Sequence, residues 1–317
     1  MSGQRPVVVV GSINTDLVAI TRKIPAIGET VTGTDFEIHP GGKGANQAVA
    51  VARLGYPVRM IGRLGSDPFG AQLKTHLESA GVDTAGIATS EGTSGVAVII
   101  VSEAGENSIV VTPGANGKVT PQDLEANIGM LRTAGMVLAQ LEIPLETVEY
   151  LAMLCAREGV PLMLDPAPAR DLPPGIFKQI EWFTPNEVEA AFFTGVGRDR
   201  IEPLAAEETA KLILSKGSRG VVLKMGANGV YLASQAGLSG SIPAFHVKAV
   251  DTTAAGDAFN GGFATALLLG KTPVESARFA SAVAGISVTR KGAQPSMPSR
   301  SEVEALMDSA EARTLSQ

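Results

Sequence analysis

The chain has one cysteine, one tryptophan, three tyrosines and three histidines in 317 residues. A single thiol excludes a disulfide within the chain. Cys155, set in the apolar helical pattern YLAMLCAREG, reads as a small core residue. His39, His76 and His246 are scattered without ligand spacing, which excludes a histidine-built zinc site; His39, beside a glycine loop, reads as a surface imidazole. Aromatics are only 4% of the chain, no basic run occurs, and the net charge is -6 with a pI near 5.3. That balance points to small-molecule ligands and away from nucleic acid. No segment is long enough to span a bilayer, and the opening MSGQRPVVVV runs straight into a strand without a signal peptide's apolar stretch, so the expected location is the cytoplasm. Familiar nucleotide and hydrolase signatures are missing too. Gly270-Lys271-Thr272 ends like a Walker loop, but Thr265 stands where its first glycine belongs, and Gly11-Ser12-Ile13-Asn14 lacks the repeated glycines of a dinucleotide fingerprint. No Gly-x-Ser-x-Gly elbow is found.

What is present is a globular composition, 44% hydrophobic and 18% charged. Short β-branched runs at 6–10, 136–142, 161–165 and 221–226 alternate with helical patterns beginning near Gly44, Pro68, Pro121, Glu146, Asn186 and Glu202. This alternation predicts an α/β fold with a mainly parallel sheet covered by helices on both faces. Two regions, 15–38 and 93–112, read as strands without intervening helices and so as a small separate β-sheet, a lid too small to bury its own apolar face. Such a layer should cover the active site, pair with a second subunit, or both. From residue 256 onward the pattern is helical.

Two stretches carry the chemistry. HPGGKGANQA, residues 39–48, clears side chains around Lys43 and then places Asn46 and Gln47 one turn into a helix, which suggests a small polar ligand more than a plain turn. VDTTAAGDAFNGGFATALL, residues 250–268, feeds a run of tiny residues into a long apolar helix, so unpaired amides and the positive dipole end make an anion hole. Asp257 at its mouth is either a helix cap or a base for an attacking alcohol.

GSINTD (11–16), GGKGANQA (41–48), TPNEVEA (184–190), DTTAAGDAFNGG (251–262) and TRKGAQPS (289–296) together resemble the ribokinase branch of the PfkB-type sugar kinases, in order and over nearly the whole chain. The resemblance implies a Rossmann-like domain spanning 1–317 with a β-clasp lid that commonly dimerises, and ATP-dependent phosphorylation of D-ribose at its 5-hydroxyl. It implies that Asp257 is the catalytic base, and that Ala254, Ala255 and Gly256 form the anion hole. Asn14, Asp16, Gly42, Lys43, Asn46 and Glu142 would bind the sugar, the glycines letting it approach the main chain; Glu142 also reads as a solvated strand end. Asn186 and Glu189 would sit near magnesium and the phosphates, although they also spell a capping box. Lys224, Gly226 and Gly229 of KMGANG would flank ATP, with Ser281 near the adenine. Asp251, Thr253, Ser287, Arg290, Gly292 and Ser296 match positions whose oxygens enclose potassium; Arg290 equally suits a helix C-terminus. Kinases for deoxyribose, fructose or a nucleoside, and a non-catalytic sugar sensor, are the alternatives, the sensor having no need of both base and anion hole.

Overall fold

A computed structural model describes residues 3–196 and 200–315, with side chains as far as Ser309. The chain opens with β1 (Val7–Val10), then leaves the main layer through β2 (Asn14–Thr21) and β3 (Gly33–Gly41). It returns through α1 (Lys43–Arg53), β4 (Val58–Gly65), α2 (Pro68–Ser79) and β5 (Asp83–Ser90), and leaves again through β6 (Gly95–Ser102) and β7 (Asn107–Thr112). The second half winds through α3 (Pro121–Ala126), α4 (Ile128–Thr133), β8 (Met136–Ala139), α5 (Leu145–Glu158), β9 (Leu162–Leu164), β10 (Trp182–Phe183), α6 (Glu187–Thr194), α7 (Ala206–Ser215) and β11 (Gly220–Lys224). An antiparallel pair, β12 (Val230–Ser234) and β13 (Ser239–Ile242), closes the sheet before α8 (Ala255–Leu268), α9 (Pro273–Ser287) and α10 (Arg300–Leu315).

Nine strands form one sheet in the order β13-β12-β11-β10-β9-β8-β1-β4-β5, parallel from β11 to β5. The four valines of β1 are fully buried, because Val7 and Val9 face one core and Val8 and Val10 the other. A continuous apolar run is what a strand covered on both faces needs. Strand β4, VRMIGRLG, hides its charge differently: the Arg63 guanidinium forks onto Asp123 at 2.9 and 2.7 Å. The second sheet, β3-β2-β6-β7, is the separate small sheet expected from residues 15–38 and 93–112.

The parallel strands converge on one end of the sheet, where the turns after β1, β8, β9, β10 and β11 present polar residues. That end, outside the carboxyl edges of the strands, is where an open α/β sheet binds ligands.

Candidate active site

Helix α8 begins at Ala254, which adopts a left-handed conformation (φ 57°) that non-glycine residues rarely hold. No side chain caps this helix end. Asp257 is 4% exposed and its carboxylate is used elsewhere: Oδ2 accepts from Asn46 Nδ2 at 3.0 Å, and Oδ1 from Gln47 Nε2 at 3.1 Å. The capping explanation for Asp257 therefore fails. Burial pushes its pKa up, Lys43 pulls it down, Asp165 pushes it up again, and the Asn46 and Gln47 amides pull it down, leaving it raised to about 6. The Ala255 amide donates to the Thr252 carbonyl at 3.2 Å, whereas among the described hydrogen bonds the Gly256 and Asp257 amides have no acceptor.

On one side of this turn lies a pocket of about 350 Å³ lined by Asn14, Asn116, Glu142 and Arg170, with Val111 of the lid at its rim. Asn14 is held by Asn116, whose Nδ2 donates to its Oδ1 at 2.7 Å. Glu142 Oε2 accepts from Ser12 Oγ at 2.5 Å and from the Lys43 amide at 3.1 Å, so Glu142 is not a solvated strand end. Among the described hydrogen bonds the Asp16 carboxylate has none, and burial, then Glu142, raise its pKa to about 6 against the pull of His39. Its oxygens are free to accept from hydroxyls.

The glycines before α1 have a different reason than expected. Gly42 is at φ 88°, and a Cβ there would lie 2.7 Å from the Asn14 amide. A side chain at Gly41 would strike the Asp16 carboxylate at 2.2 Å. The space cleared at these glycines is filled by the turn and strand at residues 11–16. Lys43 divides its parts: its amide binds Glu142, but its side chain lines the cleft on the other side. Asn46 is likewise engaged within the protein, donating to Asp257 and accepting from Gln294 Nε2 at 3.1 Å.

That second cleft, about 630 Å³, runs from Asp257, Gly256 and Lys43 past Asp165, Glu189 and Lys224 to a less polar end formed by Phe245, His246 and Ser281. Asn186 and Glu189 make the reciprocal capping box of α6 and line this cleft. Burial and Asp165 push the Glu189 carboxyl up. Burial alone would push the Lys43 ammonium down, but Asp257, Asp165, Glu142 and Glu189 more than offset that and hold it above its ordinary range. Gly226 (φ 52°) and Gly229 (φ 82°) line the same wall. The Ser281 hydroxyl, buried at the apolar end, has no partner.

Asp251 ties the turn before α8 to the loop after α9, accepting from the Thr253 amide at 2.9 Å and the Gly292 amide at 2.8 Å. Burial alone would raise its pKa; those amides more than offset it and keep the carboxyl below its ordinary value. Among the described hydrogen bonds, the Thr253, Arg290 and Gly292 carbonyls accept none. The Ser287 and Ser296 hydroxyls donate to Ala284 and Ala293, so neither points its hydrogen at a cation, and the Arg290 guanidinium pairs with Glu302.

Residues 4–300 match the pfkB family of carbohydrate kinases. The chain belongs to that family. It is 43% identical over 300 residues to a ribokinase of Haemophilus influenzae, covering 94% of this chain and 97% of that one. Among solved structures, the ribokinase of Thermotoga maritima superposes with a TM-score of 0.87 at 38% identity, over 96% of this chain and 99% of that one. The Arabidopsis thaliana ribokinase complexed with ribose and ATP does so with the same score at 34% identity, over the same shares of the two chains.

Sequence reasoning overlooked several residues of this kinase's cleft. Asp165, 3% exposed, accepts from Gln47 at 3.0 Å and pairs with Lys224 at 2.9 Å. Gln47 also takes a bond from Gln140 Nε2 at 2.7 Å, so one amide links two carboxylates and the end of β8. Asn116 locks the turn at Ile13 and Asn14 through three hydrogen bonds. For Asp165 and Gln140 the available signal was a polar residue just beyond a buried strand, whereas Asn116 follows the exposed β7 and carries no such signal.

Proposed function

We propose that this pfkB family kinase transfers the terminal phosphoryl group of ATP to the 5-hydroxyl of D-ribose, giving D-ribose 5-phosphate and ADP. One observation carries the reading: the pocket of Asn14 and Glu142 is tied through the Lys43 amide to the larger cleft, where the buried Asp257 stands with Glu189, Lys224 and Ser281. The Lys43 backbone faces the first and its side chain the second.

Asp16 and Glu142 accept from sugar hydroxyls and hold the acceptor oxygen toward Asp257. Asp257 takes the hydroxyl proton as the new O–P bond forms and the bond to the departing ADP oxygen breaks. The Gly256 and Asp257 amides receive the charge on the migrating group. Closure of the lid over the sugar would keep out water, which otherwise competes as acceptor. Asn186 and Glu189 fit a hydrated magnesium ion, because Glu189 and Asp165 crowd negative charge at the phosphate end; bound there, magnesium would neutralise phosphate charge. Asp251 with the Thr253, Ser287, Arg290, Gly292 and Ser296 backbone oxygens suits a potassium ion, a hard cation that would stiffen the turn before α8. Phe36, Ile38, Val98 and Val110 leave one face of the lid apolar and exposed, which supports a homodimer through the lid. Among the described residues no helix is long and apolar enough to cross a membrane, which fits the expected cytoplasmic location.

The test measures ADP release from magnesium-ATP with ribose, 2-deoxyribose, fructose and adenosine, in potassium and in sodium. Ribose is expected to dominate and potassium to accelerate turnover. Preference for another acceptor defeats the substrate assignment, no turnover with any acceptor defeats the kinase reading, and equal rates in both salts remove the potassium site.

A further inference from the structure

Two relays of side-chain amides end on Asp257, one on each carboxylate oxygen. In the first, Gln140 Nε2 donates to Gln47 Oε1 at 2.7 Å, and Gln47 Nε2 donates to Asp257 Oδ1 at 3.1 Å. In the second, Gln294 Nε2 donates to Asn46 Oδ1 at 3.1 Å, and Asn46 Nδ2 donates to Asp257 Oδ2 at 3.0 Å. All four amide side chains are buried. Both relays finish alike: the Gln140 and Gln294 side-chain carbonyl oxygens are buried and have no partner among the described residues. A buried acceptor left unpaired costs free energy, so the arrangement calls for a reason beyond packing.

That reason is polarity. An ionised carboxylate only accepts, so each inner amide must turn its N–H to Asp257 and its carbonyl away. The outer glutamine holds that carbonyl with its own N–H and is left with its oxygen unused. The two relays are not equally constrained. Gln47 also donates to Asp165 Oδ2 at 3.0 Å, and Asp165 is paired with Lys224, so that second carboxylate keeps the Gln47 amide in place whatever Asp257 does. Among the described hydrogen bonds, Asn46 donates to Asp257 alone. Once Asp257 takes a proton it has an O–H to donate, and an Asn46 amide turned end for end would offer its carbonyl to it. Such a bond favours the neutral carboxyl and raises its pKa. With Gln294 in place, the turned amide would set N–H against N–H and forfeit the bond between them.

We propose that Gln294 is a positioning residue that acts through Asn46: by fixing the direction of that amide it denies protonated Asp257 an acceptor and so favours return of the base to its ionised form. This rests on the reading of Asp257 as the base and deepens it with a residue that lines neither cleft. The charges acting on Asp257 are Lys43 on α1, Asp165 beyond β9 and Asp16 on β2, with Glu189 and Lys224 in the same cleft, and all five are kept in the variants below.

The experiment compares wild type with Gln294→Met and Gln294→Leu, two apolar replacements in case one fails to fold, and with Gln140→Met as the counterpart on the other relay. In each, the unpaired oxygen only moves inward by one amide, to Asn46 or Gln47, so thermal unfolding should stay close to wild type. A typical net hydrogen bond to the neutral form corresponds to about half to one pH unit. The acid limb of kcat/KM for ribose should shift toward alkaline pH by that amount in the Gln294 variants and by less in Gln140→Met. The deficit is then about three- to tenfold at about pH 5 and closes by about pH 9. The same shift should appear in the isotope-labelled aspartate carboxyl NMR signal that Asp257→Asn removes. An acid limb that stays in place in the folded Gln294 variants, a loss equal at every pH, or an equal shift in Gln140→Met overturns the proposal. Should wild type phosphorylate no sugar, the ribose reading fails, while the carboxyl signal still decides the role of Gln294.

Discussion

Gln47 is the residue whose removal tests the electrostatics of the site most directly. Its Nε2 donates to both Asp257 and Asp165, and its Oε1 is fixed by Gln140. Gln47→Leu removes one donor from each buried carboxylate. A hydrogen bond to a charged group contributes about 1.5–3 kcal/mol, and about 1.4 kcal/mol corresponds to one pH unit in a pKa. The donor favours the ionised form of Asp257, so its loss moves that pKa upward from about 6 by about one to two pH units. A base must be ionised to work, so activity rises with pH through this value. The acid limb of kcat/KM for ribose should therefore shift toward alkaline pH in the variant, with a rate deficit on the order of tenfold near pH 6 that closes by pH 9. Profiles are taken at saturating ATP, where nucleotide titration is common to both proteins and cancels in the comparison. Thermal unfolding first confirms a folded variant, because Asp165 loses a partner as well. If the two acid limbs superimpose and the loss is the same at every pH, Gln47 does not tune Asp257 and the electrostatic argument is wrong.

Asp257→Asn should lower turnover by about 10²- to 10⁴-fold, with ribose affinity by calorimetry retained; turnover near wild type would remove Asp257 as the base. Asp16 loses acceptor capacity when protonated, so the ribose KM should climb as pH falls through about 6 while the ATP KM stays level, and a flat ribose KM between pH 5 and 8 would argue against Asp16 as a sugar contact. On the lid, Val110→Lys places a charge on a residue that is 64% exposed in the single chain. Analytical ultracentrifugation should show a dimer in wild type and a monomer in the variant, and a wild-type monomer at every concentration tested would end the lid-dimer proposal.

The parts legible in sequence were those whose physics is local. Four consecutive valines announced β1, and tiny residues ahead of an apolar helix announced the start of α8. The lid showed itself as two strand pairs without helices between them. By contrast, β4 carries two arginines and two glycines, and its apolar face becomes visible only once Asp123 is seen to accept the Arg63 fork. β10 is two residues long, below what periodicity can register. In the site, Asp257 stood out because of its neighbours in sequence, whereas Asp165 and Gln140 have ordinary surroundings there and gain meaning only from partners 118 and 93 residues away. The glycines of HPGGKGANQA were read as a close approach, and at Gly41 and Gly42 the structure places residues 11–16 in the space a side chain would need. A missing Cβ has the same signature whether protein or ligand fills the gap.

Asn14 and Asp16 stand at the root of β2, the strand that continues as the centre of the lid. From Asn14 to Thr21 the strand advances roughly 20 Å, so were the small sheet to swing as a rigid leaf, its tip would sweep far while its root barely turned. The groups that grasp the sugar would then keep their places at the hinge as the leaf folds shut, and recognition would precede enclosure instead of waiting for it.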